Sequence, residues 1–418
     1  MACTSPLSAS ERPTAAPAAL RGRGAVRNVG HRFDQTERIP FQDGLPSLGT
    51  DEAGINLSGE SQASSSPVAP RLSLRTTVTT EQARKLISRN DSPDIPFERA
   101  INPYRGCEHG CVYCYARPTH AYLGYSPGLD FETRLVAKAN AVEALRAELS
   151  RPGYKVTPLH VGSATDAYQP IERQWRLTRG LLELMLETRH PLTIVTKSAL
   201  IERDLDLLQQ LAAQNLVAVY ISITTLDPAM ARVLEPRASA PWRRIQAISA
   251  LAQAQVPTGV LVAPVIPFIN DESLERILQT TAAAGARYGG YALIRLPWEV
   301  RAVFESWLGV HFPDRAQRVL HRIEDMRSGR RNDATFGTRM RGTGVWADLL
   351  RQRFEMAVRK FGLNQRSLHL DTGRFIAPVA HSTLSANATQ TGNEAPLRFN
   401  RHGLYAPMAS QSLQLPLL

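Results

Sequence analysis

Residues 192–223 read LTIVTKSALIERDLDLLQQLAAQNLVAVYISI, and this stretch decides the fold. Two runs rich in Val and Ile, 192–196 and 217–223, flank a helix-like segment at 201–213. Short, nearly continuous apolar runs with β-branched residues read as strands covered on both faces. Strand, single helix and strand again make a βα unit of a parallel sheet.

The same alternation extends outward for roughly two hundred residues. Further apolar runs stand at 99–102, 159–162, 259–263 and 291–296, with helix-like segments at 139–150, 173–189, 239–254 and 272–284. Pro257 stops the helix at 239–254, and Gly285 offers a C-cap to the one at 272–284. Six strands fall short of the eight of a closed barrel. The expected fold is therefore α/β, a partial (β/α)6 TIM-like barrel spanning 76–298. A basic helical C-terminal extension (299–375) follows, with helices at 299–308, 315–328 and 345–361; on the last, Trp346 and Phe354 share an apolar face with Leu349 and Leu350. The ends read differently. Residues 1–75 are rich in Pro, Ala and Ser and read as a disordered tail containing a short Gly/Arg patch, Arg21-Gly-Arg-Gly-Ala-Val-Arg27, that is either solvated or an RNA-touching arm. Residues 376–418 read as a loose C-terminal tail.

Composition narrows the class. The chain has 418 residues, 43% of them hydrophobic and 21% charged, as in a globular protein. No apolar run reaches the length of about 18 residues that a transmembrane helix needs. The N-terminus lacks the pattern of a secretory signal, and the four cysteines form no disulfide framework, so a cytoplasmic location is expected. The net charge of +11 invites a nucleic-acid partner. Its distribution is uneven: residues 311–375 carry 14 Lys+Arg against 7 Asp+Glu, in turn-rich sequence such as Arg327-Ser-Gly-Arg-Arg-Asn-Asp333. This stretch is either a counter-charge for phosphates or a solvated arginine surface.

The chemistry is concentrated in Cys107-Glu-His-Gly-Cys111-Val-Tyr-Cys114, directly after the first strand. Soft thiolates at such spacing bind zinc or an iron–sulfur cluster. Zinc would take His109 as a fourth ligand. Three cysteines on one loop also suit a [4Fe-4S] cube that leaves one iron open. An open iron at the mouth of a barrel can be chelated by S-adenosyl-L-methionine (SAM), whose reductive cleavage yields a 5′-deoxyadenosyl radical. Tyr113 would then lay its ring beside the adenine.

The loop resembles that of the radical SAM superfamily. The longer stretch Ile101-Asn-Pro-Tyr-Arg-Gly-Cys-Glu-His-Gly-Cys-Val-Tyr-Cys-Tyr-Ala-Arg-Pro118 is similar to the branch related to spore photoproduct lyase, within it to a functionally unassigned bacterial group. Further blocks carry the likeness at Thr165–Glu172, Val195–Ser198, Ser222–Asp227, Glu235–Arg237 and Val262–Pro267. The resemblance implies a metal centre at Cys107, Cys111 and Cys114, a bound SAM, and an electron donor such as flavodoxin or ferredoxin. It implies contacts from Lys197 and Ser222 to the methionine end of SAM, which suits an ammonium and a hydroxyl facing a carboxylate. Asp166 is expected either to meet ribose or substrate or to cap the helix at 173–189. Glu235 and Arg237 are expected to pair at the mouth, with Arg237 among the cofactor contacts, and Val262–Pro267 to lie along the adenine.

One departure counts against direct transfer. Lyase-type enzymes of that branch use a further cysteine as hydrogen donor, and the one left over here is Cys3, in the N-terminal tail. Tyr168, Tyr220 and Tyr291 are the alternative donors. A nucleic acid or nucleotide leads as substrate, followed by radical modification of a protein. The rival of another class is a non-catalytic iron–sulfur or zinc redox sensor that binds nucleic acid.

Overall fold

The computed structural model describes residues 19–34 and 74–379. Its strands are β1 (Thr77–Glu81), β2 (Ile87–Arg89), β3 (Arg99–Ile101), β4 (Tyr104–Arg105), β5 (Arg134–Lys138), β6 (Leu159–Val161), β7 (Leu192–Thr196), β8 (Val217–Ser222), β9 (Thr258–Val265) and β10 (Tyr288–Leu293). The helices are α1 (Asp130–Thr133), α2 (Ala141–Leu149), α3 (Glu172–Trp175), α4 (Leu177–Thr188), α5 (Leu205–Ala213), α6 (Pro228–Leu234), α7 (Pro241–Gln253), α8 (Leu274–Ala283), α9 (Val300–His311), α10 (Ala316–Asp325) and α11 (Val345–Lys360).

Seven strands form the main sheet in the order β10-β9-β8-β7-β6-β3-β2. From β10 to β3 every neighbouring pair is parallel, and β2 is added antiparallel on the edge. These six parallel strands correspond to the six apolar runs, and the barrel they begin is left open. Val217, Val219, Ile221 and Val260 are fully buried. They share one core with Leu181 and Met185 of α4, Leu208 and Leu211 of α5, Ile248 and Leu251 of α7, and Ile277 and Leu278 of α8. Burying each such side chain is worth about 1.5–3 kcal/mol, so the helix faces hold the sheet in shape. No helix among the described residues is long and apolar enough to cross a membrane.

Several expectations shift. The last strand lies three residues earlier than the run at 291–296, because Gly289 and Gly290 belong to it. A β-carbon on Gly290 would lie 2.8 Å from Leu261 Cδ2, and one on Gly289 3.3 Å from Leu363 Cδ1, so close packing explains residues that weaken a strand signal. The helix read at 173–189 is broken by Arg176 at φ 51° into α3 and α4. Its second part is capped by Glu172, whose carboxylate accepts from the Thr178 N–H at 3.1 Å and the Arg179 N–H at 3.4 Å. Asp166 does not serve as that cap.

A second sheet, β1-β5-β4, has no counterpart in the sequence reading. It matters because β4 leads straight into the cysteine loop. Residues 19–34, read as part of a solvated tail, instead contain buried Arg23, Ala25 and Val26. The rest of the N-terminal tail, Cys3 included, lies outside the described residues, as do residues 380–418. At the other end Ile376 donates its N–H to the Thr188 carbonyl, and Phe375 packs on Tyr154 and His190.

On α11, Trp346 and Phe354 pack against the core while Leu349 stays exposed, so the apolar face excludes Leu349. The basic stretch is neither simply solvated nor simply free for phosphates. Arg327 and Arg339 are buried, and Arg331, Arg351, Arg353 and Arg374 pair with carboxylates.

Candidate metal and cofactor site

The cysteine loop is built between two clamps. From β4 the chain turns at Gly106, where φ is 74° and a β-carbon would lie 2.7 Å from Leu135 Cδ2. Cys107 then donates its N–H to the Phe131 carbonyl at 2.9 Å. The segment after β6 holds the start of the loop: Thr165 Oγ1 donates to the Gly106 carbonyl, and Gln169 accepts from the Glu108 N–H. On the far side Val112 N–H donates to the Leu234 carbonyl and Arg237 N–H to the His109 carbonyl. The block Thr165–Glu172 thus acts first as a brace for the loop.

Cys107, Cys111 and Cys114 all carry free thiols, the first two buried and the third half-buried. Burial pushes all three thiols up, Cys111 to about 12 despite the ammonium of Lys197; Asp166, Cys111 and Cys114 raise Cys107 further, and Glu235 and Cys114 raise Cys111. Such thiols stay protonated until a metal replaces the proton. The His109 imidazole turns its Nδ1 to Asp166 Oδ2 at 3.2 Å, a contact that orients the ring and leaves Nε2 as its possible ligand atom. Among the described residues no three His, Cys, Asp or Glu side chains converge as ligands of a single ion. Three thiols on one loop are a donor set that an iron–sulfur cube with one open iron could use.

Asp166 holds the loop from below. Its carboxylate accepts from the N–H groups of Tyr168 and Lys197 and from Thr196 Oγ1 at 2.7–2.9 Å, besides facing His109. Burial alone would raise its pKa, but His109 and these donors outweigh burial and hold the carboxyl well below the usual range. Each oxygen is occupied, so Asp166 joins the ends of β6 and β7 to the loop.

Lys197 runs in beneath the loop, its ammonium 5.8 Å from the centre of the Tyr113 ring. Burial disfavours its charge, yet Cys111 and Glu235 more than compensate and raise its pKa. Beside it lies a buried network that the sequence did not reveal. Glu235 accepts from Tyr113 Oη, from Thr224 Oγ1 at 2.7 Å and from Arg244. Burial pushes the Glu235 carboxyl up, but Arg244, Lys197 and Tyr113 bring it down to about 2. Arg244 also donates to the carbonyls of Ser222 and Ser239.

The expected Glu235–Arg237 pair is therefore not formed. Arg237 points outward and pairs with Glu108 at 3.1 Å, while Glu235 takes Arg244 from α7. Ser222 is buried, and its hydroxyl donates to the Ala263 carbonyl at 3.4 Å. Asn270 ties down the segment after β9 through the Ile266 N–H and the Thr224 and Pro264 carbonyls. Of the three alternative hydrogen donors, Tyr168 is fully buried, Tyr220 packs on Tyr288, and Tyr291 packs on Phe354 of α11. The structure thus gathers Tyr113, Lys197 and Glu235 around the cysteines and places Arg237 at the rim.

A third support comes from the N-terminal strap. The Gly24 and Ala25 N–H groups donate to Glu132 at 2.9 and 2.8 Å, and Glu132 pairs with Arg117 out of contact with water. Arg117 in turn donates to the Cys111 carbonyl at 2.9 Å. A β-carbon on Gly24 would lie 1.7 Å from the Gly110 carbonyl oxygen, so the strap runs directly against the loop. The repeated glycines of the patch were the available signal, since close backbone approach requires them.

Residues 101–281 match the radical SAM superfamily. The matched stretch contains the cysteine loop and the strands β6 to β9. An uncharacterized protein of Mycobacterium tuberculosis is 38% identical over 226 residues, 54% of this chain and 66% of its own length, just under two thirds. An uncharacterized protein of Methanocaldococcus jannaschii is 28% identical over 190 residues, 46% of this chain and 68% of its own length. Among solved structures, spore photoproduct lyase complexed with dinucleoside spore photoproduct aligns with a TM-score of 0.49 at 18% identity, covering 68% of this chain and 80% of that one.

Proposed function

We propose that this chain is an enzyme that reductively cleaves SAM and applies the resulting radical to a nucleic acid or nucleotide. The observation that carries the reading is the set of three free thiols at Cys107, Cys111 and Cys114, on one braced loop beside the Lys197–Glu235–Arg244 network. Those cysteines would hold the [4Fe-4S] cluster, whose electron breaks the sulfonium C–S bond of SAM to leave methionine and a 5′-deoxyadenosyl radical. The protein's own part is to hold and to exclude. Lys197 keeps its positive charge beside the loop, ready for the methionine carboxylate. Glu235 and Arg244 neutralise each other and fix the Tyr113 ring. Burial of the loop keeps water from a reactive intermediate.

A phosphate-bearing substrate is supported by the resemblance of the 101–118 block. Anaerobically reconstituted protein given SAM and a strong reductant is expected to release 5′-deoxyadenosine and methionine. Absence of both products, with SAM unbound, overturns the enzyme reading in favour of a metal-binding sensor. Salt-dependent binding of single-stranded DNA or RNA supports the substrate class, and salt-independent failure to bind removes it.

A further inference from the structure

Two residues beyond the end of β10 lies the half-buried Arg295. Its Nη1 faces Met340 Sδ at 3.8 Å, and its Nε is buried with no hydrogen-bond partner. Among the described residues no carboxylate comes within ion-pair distance of it. Two more buried guanidiniums surround it. Arg327 donates to the carbonyls of Ile294 at 2.7 Å and Arg339 at 2.5 Å. Arg339 is bound to Asp94 at 2.5 Å and to Ser92.

The balance of charge in this corner is one-sided. Asp94 is taken up by Arg339 and by the Gly337 N–H at 2.7 Å. Asp333, the other carboxylate in electrostatic reach, accepts from the Thr335 N–H and Thr338 Oγ1. Burial and the neighbouring Arg339 lower the Arg295 pKa to about 10, so it remains charged at neutral pH. A half-buried charge without a partner is destabilising, and folds keep one where a ligand supplies the partner.

The position is apt for substrate. Tyr115, directly after Cys114, lies within electrostatic reach of Arg295 and donates its hydroxyl to the Ser163 carbonyl past the end of β6. The turn between β2 and β3 reaches the segment between α10 and α11 through Asp94 and Arg339, and Met340 of that segment accepts from the Leu293 N–H of β10, so the two edges of the open sheet are joined here. Lys197 and the Glu235 network belong to the opposite, central strands.

We propose that Arg295 is the receptor for an oxyanion of the substrate, a phosphate ester or a carboxylate, held beside the cysteine loop. As a substrate subsite this rests on the radical reading above; as an anion site it stands without the cluster. A planar guanidinium with a free Nε edge matches the paired oxygens of either group.

The test uses the full-length chain, with and without reconstitution. Inorganic phosphate and acetate are titrated at constant ionic strength, chloride serving as control, with the unfolding midpoint and ligand-induced tyrosine fluorescence as readouts. Phosphate or acetate is expected to raise the midpoint more than chloride does. Arg295→Gln is expected to weaken that binding about tenfold or more, while Arg295→Lys retains part of it. The stronger of the two anions assigns the substrate group. Without ligand, Arg295→Gln should melt at or above the wild-type midpoint, because it removes an uncompensated charge. Unchanged anion affinity in Arg295→Gln, or a lowered ligand-free midpoint marking a structural role, overturns the proposal. SAM cleavage without Arg295-dependent anion binding refutes this inference alone. Anion binding without SAM cleavage refutes the radical reading alone.

Discussion

The buried Glu132 carboxylate is the point at which the strap, the loop and the small sheet can be separated from one another. It accepts two strap amides and the Arg117 guanidinium, and both members of the pair are fully buried. Removing one partner of such a pair costs about 3–5 kcal/mol, because the other charge is left stranded. Arg117 keeps three carbonyl acceptors, those of Cys111, Pro127 and Gly128, which places Glu132→Gln near the lower end, at about 3 kcal/mol. For a body of this size roughly 2 °C is lost per kcal/mol, so the unfolding midpoint should fall by about 6 °C. Hydrogen exchange supplies the local readout: the amides of Gly24 and Ala25 should lose protection before the main sheet does. Gly24→Ala should release the same strap, since its β-carbon has no room beside Gly110. A Glu132→Gln midpoint within about 1 °C of wild type, with the strap amides still protected, would refute the reasoning.

Further consequences follow from the buried groups. His120, His160 and His190 are all depressed to about 4 by burial, so each stays neutral in the fold while its unfolded counterpart charges near 6.5. Stability should be full above pH 6.5 and fall as pH drops from 6.5 to 4, by on the order of 3 kcal/mol per histidine. Unfolding of His160→Asn against pH should show a shallower acid limb than wild type, and an identical limb counts against the assignment. Lys197→Ala should weaken SAM binding at least about tenfold in equilibrium dialysis without lowering iron content, and an unchanged affinity removes Lys197 from the SAM site. Tyr113→Phe deletes one hydrogen bond to a buried carboxylate and should cost about 1.5–3 kcal/mol of stability in denaturant titration.

The parts of the fold that were legible are those whose signal is local. Six strands could be read because Val- and Ile-rich runs such as Val217–Ser222 are buried on both faces, and the cysteines because their spacing falls within eight residues. What escaped depends on partners far apart in the chain. β1 reads TVTTE, too polar to announce a strand, and becomes one by pairing with β5 more than fifty residues later. Glu235 and Arg237 are close in sequence, yet the fold gives Glu235 to Arg244 on α7 and turns Arg237 to Glu108. Asp166 offers either a ribose or substrate contact or a helix cap in the sequence, but the cap is Glu172, and Asp166 braces the cysteine loop. By composition the patch at 21–27 is a solvated tail or an RNA-touching arm, although its glycines are what permit contact with Gly110.

The central claim is that Cys107, Cys111 and Cys114 hold one four-iron cluster with an open iron. It is tested most directly by anaerobic reconstitution of the wild-type chain and of each Cys→Ala variant, with iron, sulfide and zinc measured alongside the electron paramagnetic resonance spectrum of the reduced protein. The account predicts about four irons and four sulfides per wild-type chain, a cluster signal that changes when SAM is added, and loss of both in every variant. One tightly held zinc in place of iron, or a cluster signal indifferent to SAM, would contradict it.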